Sequence, residues 1–185
     1  MKKSTLKIIK DVPFLKNIKK ISKIDGGITN QNLMITNFDN KNYFVRVCKN
    51  IPEHLIDRKN EINSSIAASQ IKVSPNVLYS NNKLIVFEFI KGETLNEENV
   101  KKNIKQIITL IKKVHKEIPN KINGQSYIFW VFHVIRNYAK FLNENNSDYI
   151  SALDDLLIKS LKLEKISSPY DIVFCHNDLL PANFL

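Results

Sequence analysis

The chain has 185 residues, with 28 Lys plus Arg against 18 Asp plus Glu, a formal charge of +10. At 43% hydrophobic and 25% charged it can bury a core, and it has room for one ordinary domain or two small lobes. Two cysteines, Cys48 and Cys175, exclude a disulfide framework or a cysteine zinc site and point to a reducing, cytoplasmic compartment.

The start of the chain has a positive flank but no apolar run behind it, so no signal peptide is expected. Residues 11–20 are predicted as a short helix opened by Asp11, with Pro13 tolerated in its first turn. Strands follow at 21–24, 32–38 and 43–47. The last two form a hairpin, because Asp39-Asn40-Lys41-Asn42 between them tolerates turn geometry. Residues 53–70 read as a helix with Leu55, Ile62 and Ile66 along one side, and 77–79 and 84–90 as strands around the turn Asn81-Asn82.

A boundary falls near Gly92, dividing a β-rich lobe, 1–91, from a partial helical lobe, 92–185. Thr94 to Glu97 fits a capping box for a helix to about 117. Its lysines, among them Lys101, Lys105, Lys112 and Lys116, lie opposite Ile104, Ile108 and Ile111, as on a solvated face. No base-stacking aromatics are interleaved with them, so the positive charge is read as compositional and no nucleic-acid partner is expected, a basic nucleic-acid binder being the third alternative. Helices are expected at about 125–143, with Tyr127, Phe129, Trp130 and Phe132 in its core, and at 148–163. A strand is expected at 172–175. The most apolar stretch, 127–135, is about half of what a bilayer crossing needs, so no membrane span is expected.

The chemistry concentrates at the end. His176-x-Asp178, with Asn183 five residues on, has the spacing H-x-D-x-x-x-x-N of kinase-type phosphoryl transfer. There a carboxylate accepts the proton of an attacking hydroxyl, and a neutral amide oxygen helps to hold Mg²⁺. Upstream, Gly26-Gly27-Ile28-Thr29-Asn30 lies between two strands, either as a plain turn or as a loop bringing backbone amides close to phosphate oxygens. Arg46 sits mid-strand. Either Glu61 on the next helix holds it and aims it at phosphates, or it points outward and Glu61 pairs with Arg58. The backbone from Phe87 to Ile90 could meet adenine; the alternative is a plain core strand. His54, His115 and His133 have no metal-ligand spacing.

Taken together, the glycine loop from Gly26 to Asn32, the strand Tyr43 to Val47, Asn60-Glu61, the run Phe87 to Glu93, and Phe174 to Leu179 with Asn183 resemble bacterial choline/ethanolamine kinases. These belong to the aminoglycoside phosphotransferase-like superfamily. The resemblance implies an α+β, protein-kinase-like two-lobe fold, with a β-rich N-lobe and an incomplete, mainly helical C-lobe. It implies an ATP- and Mg²⁺-dependent enzyme that phosphorylates a small alcohol, choline or ethanolamine. On this resemblance Asp178 is the catalytic base, His176 organises the loop and Asn183 binds the metal. Gly26, Gly27, Thr29, Asn30, Arg46, Glu61, Glu88, Phe89 and Ile90 bind the nucleotide.

Family members continue past the Asn with a second metal-binding aspartate and the helices of the alcohol site, so a truncated form with impaired activity is expected. A non-catalytic nucleotide-binding remnant, or a sibling kinase for thiamine, homoserine or an aminoglycoside, are the alternatives. The sequence does not set the oligomeric state.

Overall fold

The computed structural model describes residues 3–24, 30–49, 56–167 and 171–185. The chain divides into two compact units, one made of residues 1–50, 56–125 and 173–185 and the other of 51–55 and 126–172.

The first unit opens with α1 (Lys3–Lys10), which buries Thr5 and Ile9 at i,i+4 spacing. The helix expected at 11–20 is therefore displaced, and residues 11–17 form turns. Pro13 explains the stop. Its ring would clash with the Ile9 carbonyl, and it has no N–H to donate there; Val12 N donates to Ile9 O instead, at 3.1 Å. Residues 18–20 are claimed by a sheet ladder, since Ile18 pairs with Asn37 and Lys20 with Thr36.

Strands β1 (Ile18–Ile24), β2 (Asn30–Asn37), β3 (Asn42–Cys48), β4 (Val77–Asn81) and β5 (Leu84–Glu88) form an antiparallel sheet in the order β1-β2-β3-β5-β4. The hairpin turn behaves as its residues predict. Asn40 takes φ +59°, and Lys41 N donates to Asn37 Oδ1 at 2.9 Å. Strict alternation in β3 buries Tyr43, Val45 and Val47 on one face. They join Leu33, Ile35, Leu84 and Val86 under Ile9, Val12 and Leu15. The opposite face therefore presents Phe44, Arg46 and Cys48.

Helix α2 (Arg58–Gln70) starts behind Asp57, whose carboxylate accepts from Asn60 N at 2.6 Å. The expected start at 53, with Leu55, lies outside the described residues. Its inward side chains are Ala67 and, just past the end, Ile71, whereas Ile66 is exposed. Ala67 and Ile71 pack with Ile118, and Phe174 from the end of the chain packs against the same cluster.

The helix expected from 97 to 117 is two, α3 (Glu97–Lys102) and α4 (Ile104–Glu117). Asn103 breaks it by donating its side-chain amide to the Asn99 carbonyl at 2.8 Å, so side chain and backbone compete for one acceptor. The cap is Asn96, which accepts from Asn99 N at 2.8 Å, in place of the expected Thr94. The strand expected at 172–175 does not form. An apolar run becomes a strand only beside a ladder partner, and none pairs with it among the described residues.

The second unit is a helical hairpin of α5 (Val131–Glu144) and α6 (Ile150–Ile166). The segment 125–130, expected to be helical, is irregular, and Tyr127 and Phe129 are exposed where core positions were expected; Phe132 is buried. Glu164 ties the hairpin together. It accepts from Trp130 Nε1 at 2.7 Å and from Arg136 Nη1 at 2.6 Å. Among the described residues no helix is long and apolar enough to cross a membrane.

Candidate active site

β3 carries the first part of the site. Arg46 faces Asn32 of β2 on one side and Ile85 of β5 on the other, and its guanidinium lies 5.7 Å over the Phe87 ring. Phe87 in turn packs against Phe44, with ring centroids 5.8 Å apart. An apolar floor thus holds a cation at the surface of the sheet.

From α2, Glu61 Oε1 stands 3.5 Å from Arg46 Nη1, while Arg58 Nη1 hydrogen-bonds Glu61 Oε2. Both pairings considered for Glu61, with Arg46 and with Arg58, are present, because one carboxylate has an oxygen for each guanidinium. The second nitrogen of Arg58, Nη2, donates to the Lys49 carbonyl at the end of β3. Sequence spacing did not reveal that anchor. Cys48 borders the group: burial pushes its thiol above the ordinary value and Glu61 adds to this, against the pull of Arg58 and Arg46.

The second part is the chain's final segment. Asn183 Nδ2 donates to the Asp178 carbonyl at 2.8 Å and to Asp178 Oδ2 at 3.0 Å, closing a loop over Pro181–Asn183. Asn177, between His176 and Asp178, adopts φ +61°, a conformation asparagine tolerates better than most residues. His176, Asp178 and Asn183 are all exposed.

The segment is held at both ends. Phe174 sits on the Ala67 and Ile71 cluster of the helix that carries Glu61. At the other end, Leu95 N donates to Phe184 O at 2.9 Å. Leu185 lies so close to Gly92 that a Cβ there would meet its Cγ at 3.2 Å, so the absence of a side chain at 92 makes room for the tail. No hydrogen bond or ion pair joins the Arg46–Glu61 group to the Asp178–Asn183 group among the described residues.

Of the other expected nucleotide residues, Gly26, Gly27 and Thr29 lie outside the described residues, and Asn30 opens β2 opposite Cys48. Glu88 is engaged by Asn76: its carboxylate accepts from Asn76 N at 3.2 Å and Nδ2 at 2.9 Å, and its own N–H donates to Asn76 O. Phe89 and Ile90 follow, and Ile90 is exposed. A cavity of about 480 Å³ at this end of the sheet is lined by Lys41, Asn42, Leu78, Glu88, Phe89 and Lys91. It includes neither Arg46 nor Asp178.

A strand-borne cation held by a helix carboxylate, with an Asp–Asn pair in the closing loop, is an arrangement suited to phosphoryl transfer. Comparison with known proteins decides the family: the model of choline/ethanolamine kinases matches residues 21–185. The chain belongs to the choline/ethanolamine kinase family. A relative described as probable ethanolamine kinase A, from Dictyostelium discoideum, is 30% identical over 198 residues, covering 94% of this chain and 55% of the relative.

Among solved structures, choline kinase LicA from Streptococcus pneumoniae superposes with a TM-score of 0.74 at 24% identity, covering 97% of this chain and 63% of that one. LicA has also been solved in complex with AMP (TM-score 0.68, 22% identity, 96% and 62% covered). The fold extends to the GDP complex of an aminoglycoside 2'-phosphotransferase, with a TM-score of 0.65 at 13% identity and coverage of 100% and 66%. The chain spans about half the length of the curated relatives it matches.

Proposed function

We propose that this chain carries the nucleotide-binding and catalytic-loop part of an ATP-dependent kinase acting on the hydroxyl of choline or ethanolamine. The observation that carries the reading is the pairing of Arg46 with Glu61 from the neighbouring helix; in a chain of this family it supports reading the pair as aimed at phosphates. In this reading, residues 1–91 form the nucleotide lobe and 92–185 part of the helical lobe. The loop from Gly26 to Asn30 covers the phosphates, Arg46 neutralises them, and Phe89 and Ile90 offer backbone to the base. Asp178 accepts the alcohol's proton, with Asn183 fixing its carboxylate by the hydrogen bond at 3.0 Å. His176 organises the loop.

One donor present suits Mg²⁺: Asn183 spends its Nδ2 on Asp178, which leaves its amide oxygen as a hard oxygen ligand, while the Asp178 carboxylate is kept for the proton. When bound, the ion would supply charge neutralisation on the phosphates. The substrate is a small molecule, and a cytoplasmic location belongs to the same proposal.

The test is to incubate the chain with Mg²⁺, ATP and, in turn, choline, ethanolamine, thiamine, homoserine and an aminoglycoside, reading products by mass spectrometry. Phosphorylated choline or ethanolamine is expected, formed more slowly than the ~1–100 per second of ordinary kinases and lost in Asp178→Asn. Phosphorylation of another alcohol alone, or product formation indifferent to Asp178→Asn, would contradict the proposal.

A further inference from the structure

We propose that Arg58 is a positioning residue for nucleotide binding: it keeps Glu61 compensated so that Arg46 can turn from Glu61 to the phosphates. The inference rests on the reading above in which Arg46 meets those phosphates. Glu61 is only 18% exposed, and so is poorly placed to have water replace a lost partner; Arg58 is 17% exposed and Arg46, the outermost of the three, 33%. If Arg46 were its sole partner, each nucleotide that drew Arg46 away would strand a mostly buried carboxylate, a costly state. Arg58 removes that cost by staying on Oε2.

The contacts divide the roles. Arg58 is fixed on two sides, by Glu61 and by the Lys49 carbonyl, and so locks the first turn of α2 to the end of β3. Arg46 meets Glu61 at 3.5 Å, beyond ordinary hydrogen-bond length, and rests on the Phe87 ring. It is the partner free to move. The group of two guanidiniums and one carboxylate also keeps one excess positive charge for a polyphosphate. Helix stability alone would not place Arg58 there. It is the first residue of α2, where a cation opposes the helix dipole and an acid would serve better.

The experiment measures ATP and AMP affinities of the chain by calorimetric titration for wild type, Arg58→Gln, Arg58→Lys, Arg46→Ala and the Arg46→Ala/Arg58→Gln double variant, with folding checked by circular dichroism. Arg58→Gln is expected to weaken ATP about tenfold while changing AMP, which lacks the β and γ phosphates, by less than about twofold. Arg58→Lys keeps the charge but cannot span both anchors as a fork, so it stays folded and gives a loss between wild type and Arg58→Gln. In the Arg46→Ala background the Arg58→Gln effect should vanish, because no mobile arginine remains to be released.

Equal losses for ATP and AMP, or an undiminished Arg58→Gln effect in the double variant, would overturn the positioning role. So would wild-type ATP affinity in a folded Arg58→Gln or Arg58→Lys chain while Arg46→Ala is weakened. Unchanged ATP affinity in Arg46→Ala would instead overturn the underlying assignment of Arg46, and with it this inference.

Discussion

Glu61 shows what a single side chain contributes and why the sequence left it open. Arg46 and Arg58 are both candidates, one on the preceding strand and one at i,i+3, and only the structure shows that separate oxygens serve each. The Asp178 and Asn183 spacing, by contrast, is local, so the sequence grouped them in one motif, but their hydrogen bond at 3.0 Å is a contact that only the structure shows. The anchor of Arg58 on a backbone carbonyl was invisible, since any residue type offers a carbonyl. The two cysteines give a residue-scale check on the burial around Glu61. Cys175 is exposed, whereas Cys48 is partly buried with its thiol pushed above the ordinary value. Alkylation with iodoacetamide near pH 8, followed by mass spectrometry, should modify Cys175 first and Cys48 markedly more slowly. Equal rates would mean that the end of β3 is open.

At the scale of elements, the sheet was the most legible part. Alternating apolar residues and an asparagine-rich turn fixed β2 and β3 to within two residues. The errors have separate physical causes. Pro13 and a competing ladder moved the first helix, Asn103 split another through its own side chain, and residues 172–175 have no strand to pair with among the described residues. The α5–α6 hairpin depends on Glu164, whose carboxyl is held below the ordinary 4.5 by the hydrogen bond from Arg136 first and that from Trp130 second. A depressed carboxylate stabilises the fold fully above its unfolded value and loses that contribution as pH falls through the folded one. The emission of Trp130, the chain's single tryptophan, should therefore be steady from neutral pH down to about 4.5 and change only below it. Glu164→Gln should remove that acid transition. A transition of equal size in the variant would show that the clasp is not its origin.

For the whole molecule, family and fold class followed from five short motifs that no single pattern carried alone, and the match over residues 21–185 bears them out. The alcohol specificity was not legible, since it depends on how many side chains surround a small substrate and none of the motifs encodes that. The first unit carries a β3 cation, an α2 carboxylate and the final Asp–Asn loop, and Phe174, four residues before Asp178, packs on Ala67 and Ile71. We propose that these parts serve one bound nucleotide. The most direct test is a map of backbone amide chemical shifts as Mg²⁺ and ATP are added to the chain. Shifts are expected at Arg46, Cys48 and Glu61 together with Asp178 and Asn183, all saturating at one ATP concentration. Shifts confined to α5 and α6, or affecting one group while the other stays still, would contradict the proposal.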